Sequence, residues 1–199
     1  LLLLVVMYAP FAGVLLSKIR IKDIGWRPAL KGNVKFLLVA WLVPPILTLL
    51  GAFLYFAIFP EHFDLSGDYM IASIGEAAME QMEAQGLDYP TYIAVSIIGI
   101  LTYAPLMNMF FALGEEVGWR GFLYPQLKER FGKIKGWLIG GVIWGIWHWP
   151  IIWLIGYEYG TEYPGFPISG MLVFCFFAIA TGIICDWLYE KSRCIWLPS

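Results

Sequence analysis

Charge is what this sequence has least of. Only 14% of its 199 residues are Asp, Glu, Lys or Arg, where a soluble domain carries roughly a quarter. Histidine is scarce too, with two residues, and cysteine with three. Cys175, Cys185 and Cys194 are odd in number and show no paired spacing, so they suggest neither a disulfide framework nor a cysteine-based metal module and are expected to be free thiols. The net charge of −2 says little by itself, and nucleic acid is not expected as a partner. Linkers, low-complexity segments and internal repeats are missing as well, which predicts one integral-membrane domain over 1–199.

What is plentiful is apolar surface. Hydrophobic residues make up 60% of the chain and the mean hydropathy is +0.71. Crossing a bilayer takes about 20 mostly apolar residues, and five runs are candidates: 1–16, 34–59, 91–113, 136–156 and 166–188. They predict an all-α, polytopic transmembrane helical bundle, multi-pass in the cell membrane, with lipid as its surroundings. Leu1 lies inside an apolar run, and the final "IWLPS" resembles the start of another span. The chain therefore reads as a fragment at both ends, with at least one more span expected beyond Ser199.

The few charges are sorted by sign. Lys18, Arg20, Lys22, Arg27, Lys31 and Lys35 follow the first run; Lys128, Arg130, Lys133 and Lys135 follow the third; Lys191 and Arg193 follow the fifth. The stretch 60–90 holds seven acids and no Lys or Arg, and 157–165 holds Glu158 and Glu162. Basic loops mark the cytoplasmic side, so 17–35, 126–135 and 189–195 are expected inside and 60–90 outside. Within 60–90, Ser73 followed by Glu76 resembles a capping box. Ile71, Ile74, Ala78 and Met82 then recur at helical spacing up to Gly86, predicting an amphipathic helix on the outer surface.

Three charges fall within apolar sequence. Glu115, Glu116 and Arg120 occupy "GEEVGWRGFLYP", residues 114–125. Glu116 and Arg120 are i and i+4 on a helix and share a face. Glu115 is rotated about 100° from its neighbour and is free to meet a different partner. Gly114 and Gly118 permit either a local break or close helix contact. In the fourth run His148 is the only ionisable residue, with Gly141, Trp144, Gly145 and Ile152 on its face, and Pro150 two residues on tends to kink the helix. Charged groups inside spans usually face the bundle interior and mark function. A glutamate and a histidine in a low-dielectric cavity can activate water. Both are expected in one cavity near the cytoplasmic leaflet.

The pattern Glu115-Glu116 to Arg120, followed by Trp144 to His148 in "WGIWHWP", resembles the CAAX-protease and bacteriocin-processing (CPBP, or Abi) family of integral membrane proteins, and its wording is similar to bacterial members. The resemblance covers a motif-bearing core of about 90–199. It implies a membrane-embedded endopeptidase acting on a peptide or protein at the membrane. Glu115 then matches the glutamate that activates water. Glu116 and Arg120 match the pair that shapes and compensates the site. His148 matches the histidine that holds water, a metal or the oxyanion, which leaves room for one divalent metal such as zinc. Trp144 stands where the family usually has Phe. The family also has a further span with a second histidine and an Asn or Asp, and this chain stops before it. Two other functions compete. One is a non-catalytic scaffold or bacteriocin-immunity-type protein of the same fold. The other is a small transporter with a proton relay, against which the lack of inverted repeats argues.

Overall fold

The computed structural model describes residues 2–17 and 19–199, with side chains from Val5 onward apart from position 18. Leu1 of the first expected span and Lys18 of the first basic loop lie outside the described residues. The protein is an all-α polytopic transmembrane bundle. Its helices are α1 (Leu2–Leu16), α2 (Val34–Ile58), α3 (Asp68–Ile74), α4 (Glu76–Ala84), α5 (Tyr89–Leu101), α6 (Tyr103–Gly118), α7 (Tyr124–Phe131), α8 (Lys133–Ile155) and α9 (Ile168–Ser192). A single π-helical turn, Trp119–Leu123, joins α6 to α7. Three helices, α2, α8 and α9, are long and apolar enough to cross a membrane, and α5 with α6–α7 makes a fourth if read as one broken span. The first expected span, α1, is apolar but has only 15 residues.

The chain divides into two compact units, one of 38–107 and one of 1–37 with 108–199. In the first, α2 buries none of its residues, and Leu49 and Phe53 are each 70% exposed. Such a surface suits hydrocarbon and not water. The third expected span is broken at Thr102 (φ −121°, ψ −83°). Pro105 has no N–H to give to the carbonyl of Leu101 one turn back. That carbonyl instead accepts from Trp41 Nε1 at 2.9 Å. The amphipathic helix expected from Ser73 is in fact two helices divided by Gly75, whose φ of +87° no L side chain adopts readily. Ser73 does not cap; its hydroxyl donates to Tyr69 O at 2.9 Å. Before α3, Asp64 accepts from the backbone N–H groups of Ser66, Gly67 and Tyr69 and from the Ser66 hydroxyl. Those donors, the Ser66 side chain first, hold its carboxyl down from 3.8 to about 2.

The second unit is built around α8, which carries two glycine rows. Gly136 and Gly140 admit α7: a Cβ there would stand 2.8 Å from Lys128 Cα and from the Tyr124 ring respectively. Gly141 and Gly145 admit α9: a Cβ would stand 2.5 Å from Ile179 Cα and 2.8 Å from Cys175 Cα. Small residues at four-residue spacing let backbones approach to this degree, which is how helices gain contact where no hydrophobic force acts between them. The Gly114 and Gly118 pair also serves close contact and not a break. α6 runs through both, Gly114 meets Met7 and Tyr8 of α1, and Gly118 presses on Pro10. Pro150 lies within α8 without interrupting it. Buried Val14, Ile24, Leu113, Val117, Tyr189 and Ile195 close the core between α1, α6 and the end of α9.

Candidate active site

The π turn sets the site. Tyr124 N–H reaches back five residues to Trp119 O, and Pro125, next in line, has no N–H to offer. One extra residue in the turn redirects the helix beyond it, and single π turns of this kind recur at functional sites. Glu115, Glu116 and Arg120 lie just before and within it and are 7%, 3% and 0% exposed. Arg120 Nη1 donates to Glu116 Oε1 at 2.5 Å. The guanidinium also lies 4.4 Å from the centre of the Trp144 ring and 4.9 Å from that of Tyr124.

Glu115 has a different environment. Its Oε2 accepts from two indoles, Trp144 Nε1 at 2.7 Å and Trp119 Nε1 at 3.1 Å. Its Oε1 accepts no hydrogen bond from the described residues, and no cation pairs with it among them. Adjacent carboxylates thus differ in kind: one is neutralised, and the other is oriented by neutral donors with an oxygen to spare.

His148 belongs to the same cluster. Its Nδ1 lies 2.9 Å from Trp144 O. A carbonyl only accepts, so Nδ1 carries the proton and Nε2 keeps its lone pair in the neutral ring. Phe174 of α9 packs on the imidazole with ring centres 4.5 Å apart, and Tyr157 stacks on it at 5.9 Å and 26°. Tyr157 is turned back by left-handed Gly156, which ends α8. Burial, with Glu158 beside it, pushes the Tyr157 phenol up, so it keeps its proton at neutral pH. Trp144 is the hub. Its indole holds Glu115, its carbonyl orients His148, and its face meets Arg120. A phenylalanine there could not donate the first of these bonds.

At 1.5 Å per residue, His148 is about 22 Å along α8 from Lys133 and about 10 Å from Ile155. Tyr157, beyond the end of α8, covers it. Along α8, His148 therefore lies nearer the α8–α9 loop than the basic stretch 126–135.

Sequence reasoning missed Asp186, which is fully buried in α9. A lone acid in "IICDWLY" was the available signal, since an ionisable group in a span is functional by default. It also missed Lys128, which in the sequence is one of several bases in a charged loop. Its Nζ meets Asp186 Oδ2 at 2.6 Å and Glu190 Oε1 at 2.9 Å. His62 bonds Tyr55 in the other unit at 2.6 Å. The three cysteines are free, as expected. For a metal, the cluster offers one carboxylate and one imidazole, and no group of three or more His, Cys, Asp or Glu assembles among the described residues. Catalytic zinc takes three protein ligands, so these residues do not by themselves make a zinc site.

Residues 92–199 match a sequence model of the family described as Type II CAAX prenyl endopeptidase, Rce1-like. The chain belongs to this family. Glu115, Glu116, Arg120 and His148 all fall inside the matched part of this family member. A curated relative, CAAX prenyl protease 2 of Methanococcus maripaludis, is 33% identical over 79 residues, which is 40% of this chain. The match spans only 29% of that relative's length. No solved structure matches.

Proposed function

We propose that the protein is a membrane-embedded endopeptidase that hydrolyses a peptide bond near the C-terminus of a prenylated, CAAX-type peptide or protein. The observation that carries this is the unequal treatment of the two glutamates around Trp144. Glu116 is occupied by Arg120, whereas Glu115 and His148 each present an unbonded atom, Oε1 and Nε2. Glu115 takes a proton from water as the water oxygen attacks the scissile carbonyl carbon. The C–N bond then breaks and the proton passes to the departing amine. His148 Nε2, as an acceptor, orients the water; the neutral ring has no proton there to give to an oxyanion. A buried, water-poor setting strengthens each of these interactions.

The test uses the full-length protein in liposomes and a farnesylated CAAX peptide, with release of the C-terminal tripeptide as the readout. Glu115→Gln and His148→Ala should each lower turnover at least about 100-fold, the size of a general-base contribution, with an unchanged folded fraction. Folded wild type without cleavage would favour the scaffold reading. Orientation is read in intact cells through single cysteines. The charge bias puts 126–135 in the cytoplasm and the 157–165 loop outside. Impermeant labelling from outside the cell at Lys135→Cys but not at Glu162→Cys would overturn that orientation.

A further inference from the structure

The buried charges continue past Arg120. Arg120 Nη2 and the Tyr124 hydroxyl both lean on Gly182 of α9, where a Cβ would collide with the Tyr124 oxygen and stand 3.6 Å from Nη2. One turn further along the same face of α9 is Asp186. Its Oδ2 accepts from Lys128 Nζ of α7 at 2.6 Å and from Trp137 Nε1 of α8 at 2.6 Å. One carboxylate oxygen therefore ties three helices together. Among the described residues, every side-chain hydrogen bond from α7 to another helix passes through Lys128. α7 begins where the π turn ends, so whatever fixes α7 also fixes Trp119 and Arg120.

We propose that Asp186 is a positioning residue for the Glu115 site, an inference that rests on the peptidase reading above. The Lys128–Asp186–Trp137 junction anchors α7. The anchored α7 holds the π turn. The turn keeps Arg120 on Glu116 and on the face of Trp144, and Trp144 holds Glu115. Stability alone does not account for the arrangement, because well-packed apolar residues often replace a buried ion pair without loss. An apolar residue lacks the acceptor that sets both the Lys128 ammonium and the Trp137 N–H at fixed points.

The experiment compares wild type, Asp186→Asn, Asp186→Glu, Asp186→Leu, Lys128→Met and the double variant Asp186→Leu/Lys128→Met, all full-length in liposomes. Hydrogen exchange over 119–131 is read against 168–180 as an internal reference. Values of kcat and KM for the farnesylated peptide are expressed per folded molecule. Asp186→Leu should speed exchange in 119–131 about tenfold and leave the reference unchanged. Its kcat should fall about tenfold or more, with KM within twofold. The double variant should be no worse than either single one, since the two residues act as one unit. Asp186→Glu should recover part of the rate. If Asp186→Leu does not fold, Asp186→Asn, which keeps an acceptor for Trp137, gives the same readouts. Unchanged exchange overturns the brace whatever the activity. Faster exchange with unchanged kcat overturns the positioning role. A wild type that cleaves nothing overturns the peptidase reading and this role with it, and the exchange data then identify Asp186 as a folding brace only.

Discussion

Arg120→Met isolates the cost of stranding a buried carboxylate. Arg120 is 0% exposed and Glu116 3%, and among the described residues no second cation pairs with Glu116. Lys128 is held by Asp186 and Glu190, and Lys133 by Glu190. Removing one partner of a buried pair costs about 3–5 kcal/mol in soluble proteins. The guanidinium also lies over two rings, 4.4 and 4.9 Å from their centres, an interaction worth about 0.5–2 kcal/mol. For a chain of this size 1 kcal/mol moves Tm by about 2–4 °C, so Arg120→Met should melt roughly 10 °C or more below wild type. The assay is thermal unfolding of purified protein in one detergent, followed by size-exclusion fluorescence. Lys135→Ala, exposed and unpaired, is the control and should stay within about 0.5 kcal/mol. Lys128→Ala is not a control, because it uncovers Asp186. Adding Glu116→Gln to Arg120→Met removes the stranded charge and should restore most of the loss. Equal melting of Arg120→Met and Lys135→Ala would refute the buried pair.

Gly141→Leu should separate α8 from α9, because its Cβ would already stand 2.5 Å from Ile179 Cα. Overpacking costs about 1–3 kcal/mol, so Tm should fall several degrees, whereas Gly51→Ala, with nothing within 4 Å, should not lower it; equal Tm values for the two would contradict the contact. Asp64, its carboxyl depressed from 3.8 to about 2, stabilises its loop fully above the unfolded value and loses that contribution as pH falls from about 4 through about 2. The amide resonances of Ser66, Gly67 and Tyr69 should therefore titrate in that window in wild type and not in Asp64→Ala, and a midpoint near 4 would remove the proposed cause.

Legibility depended on the signal each feature leaves in the chain. The glycine pair Gly141 and Gly145, the Glu116–Arg120 spacing and the separate environment of Glu115 follow from 3.6-residue periodicity alone, and the structure has all three. The break at Thr102 was missed although Pro105 announces it, because mean hydropathy counts proline as one more residue in an apolar run and ignores its missing N–H. The π turn has the same kind of cause in Pro125. The capping-box reading failed because Ser73 prefers its own helix's carbonyl once Gly75 has broken the chain. Asp186 was hidden by averaging: one acid among twenty apolar residues barely moves a window.

The pairing pattern explains why so apolar a bundle retains this much charge. Arg120 answers Glu116, Lys128 answers Asp186, and Lys128 and Lys133 answer Glu190. Buried Arg120 and half-buried Lys128 are each matched by an acid on α6 or α9. Among the buried acids of the described residues, Glu115, Glu116 and Asp186, only Glu115 receives neutral donors and no cation. An acid kept for structure would gain most from a cation, as its neighbour does. An acid kept for proton transfer has to be oriented without being neutralised, and an indole N–H does that, because it donates one hydrogen bond and carries no charge. The Trp144 indole, which donates to Glu115 without neutralising it, therefore fits the proposed role of Glu115, and the surrounding ion pairs keep the site in place.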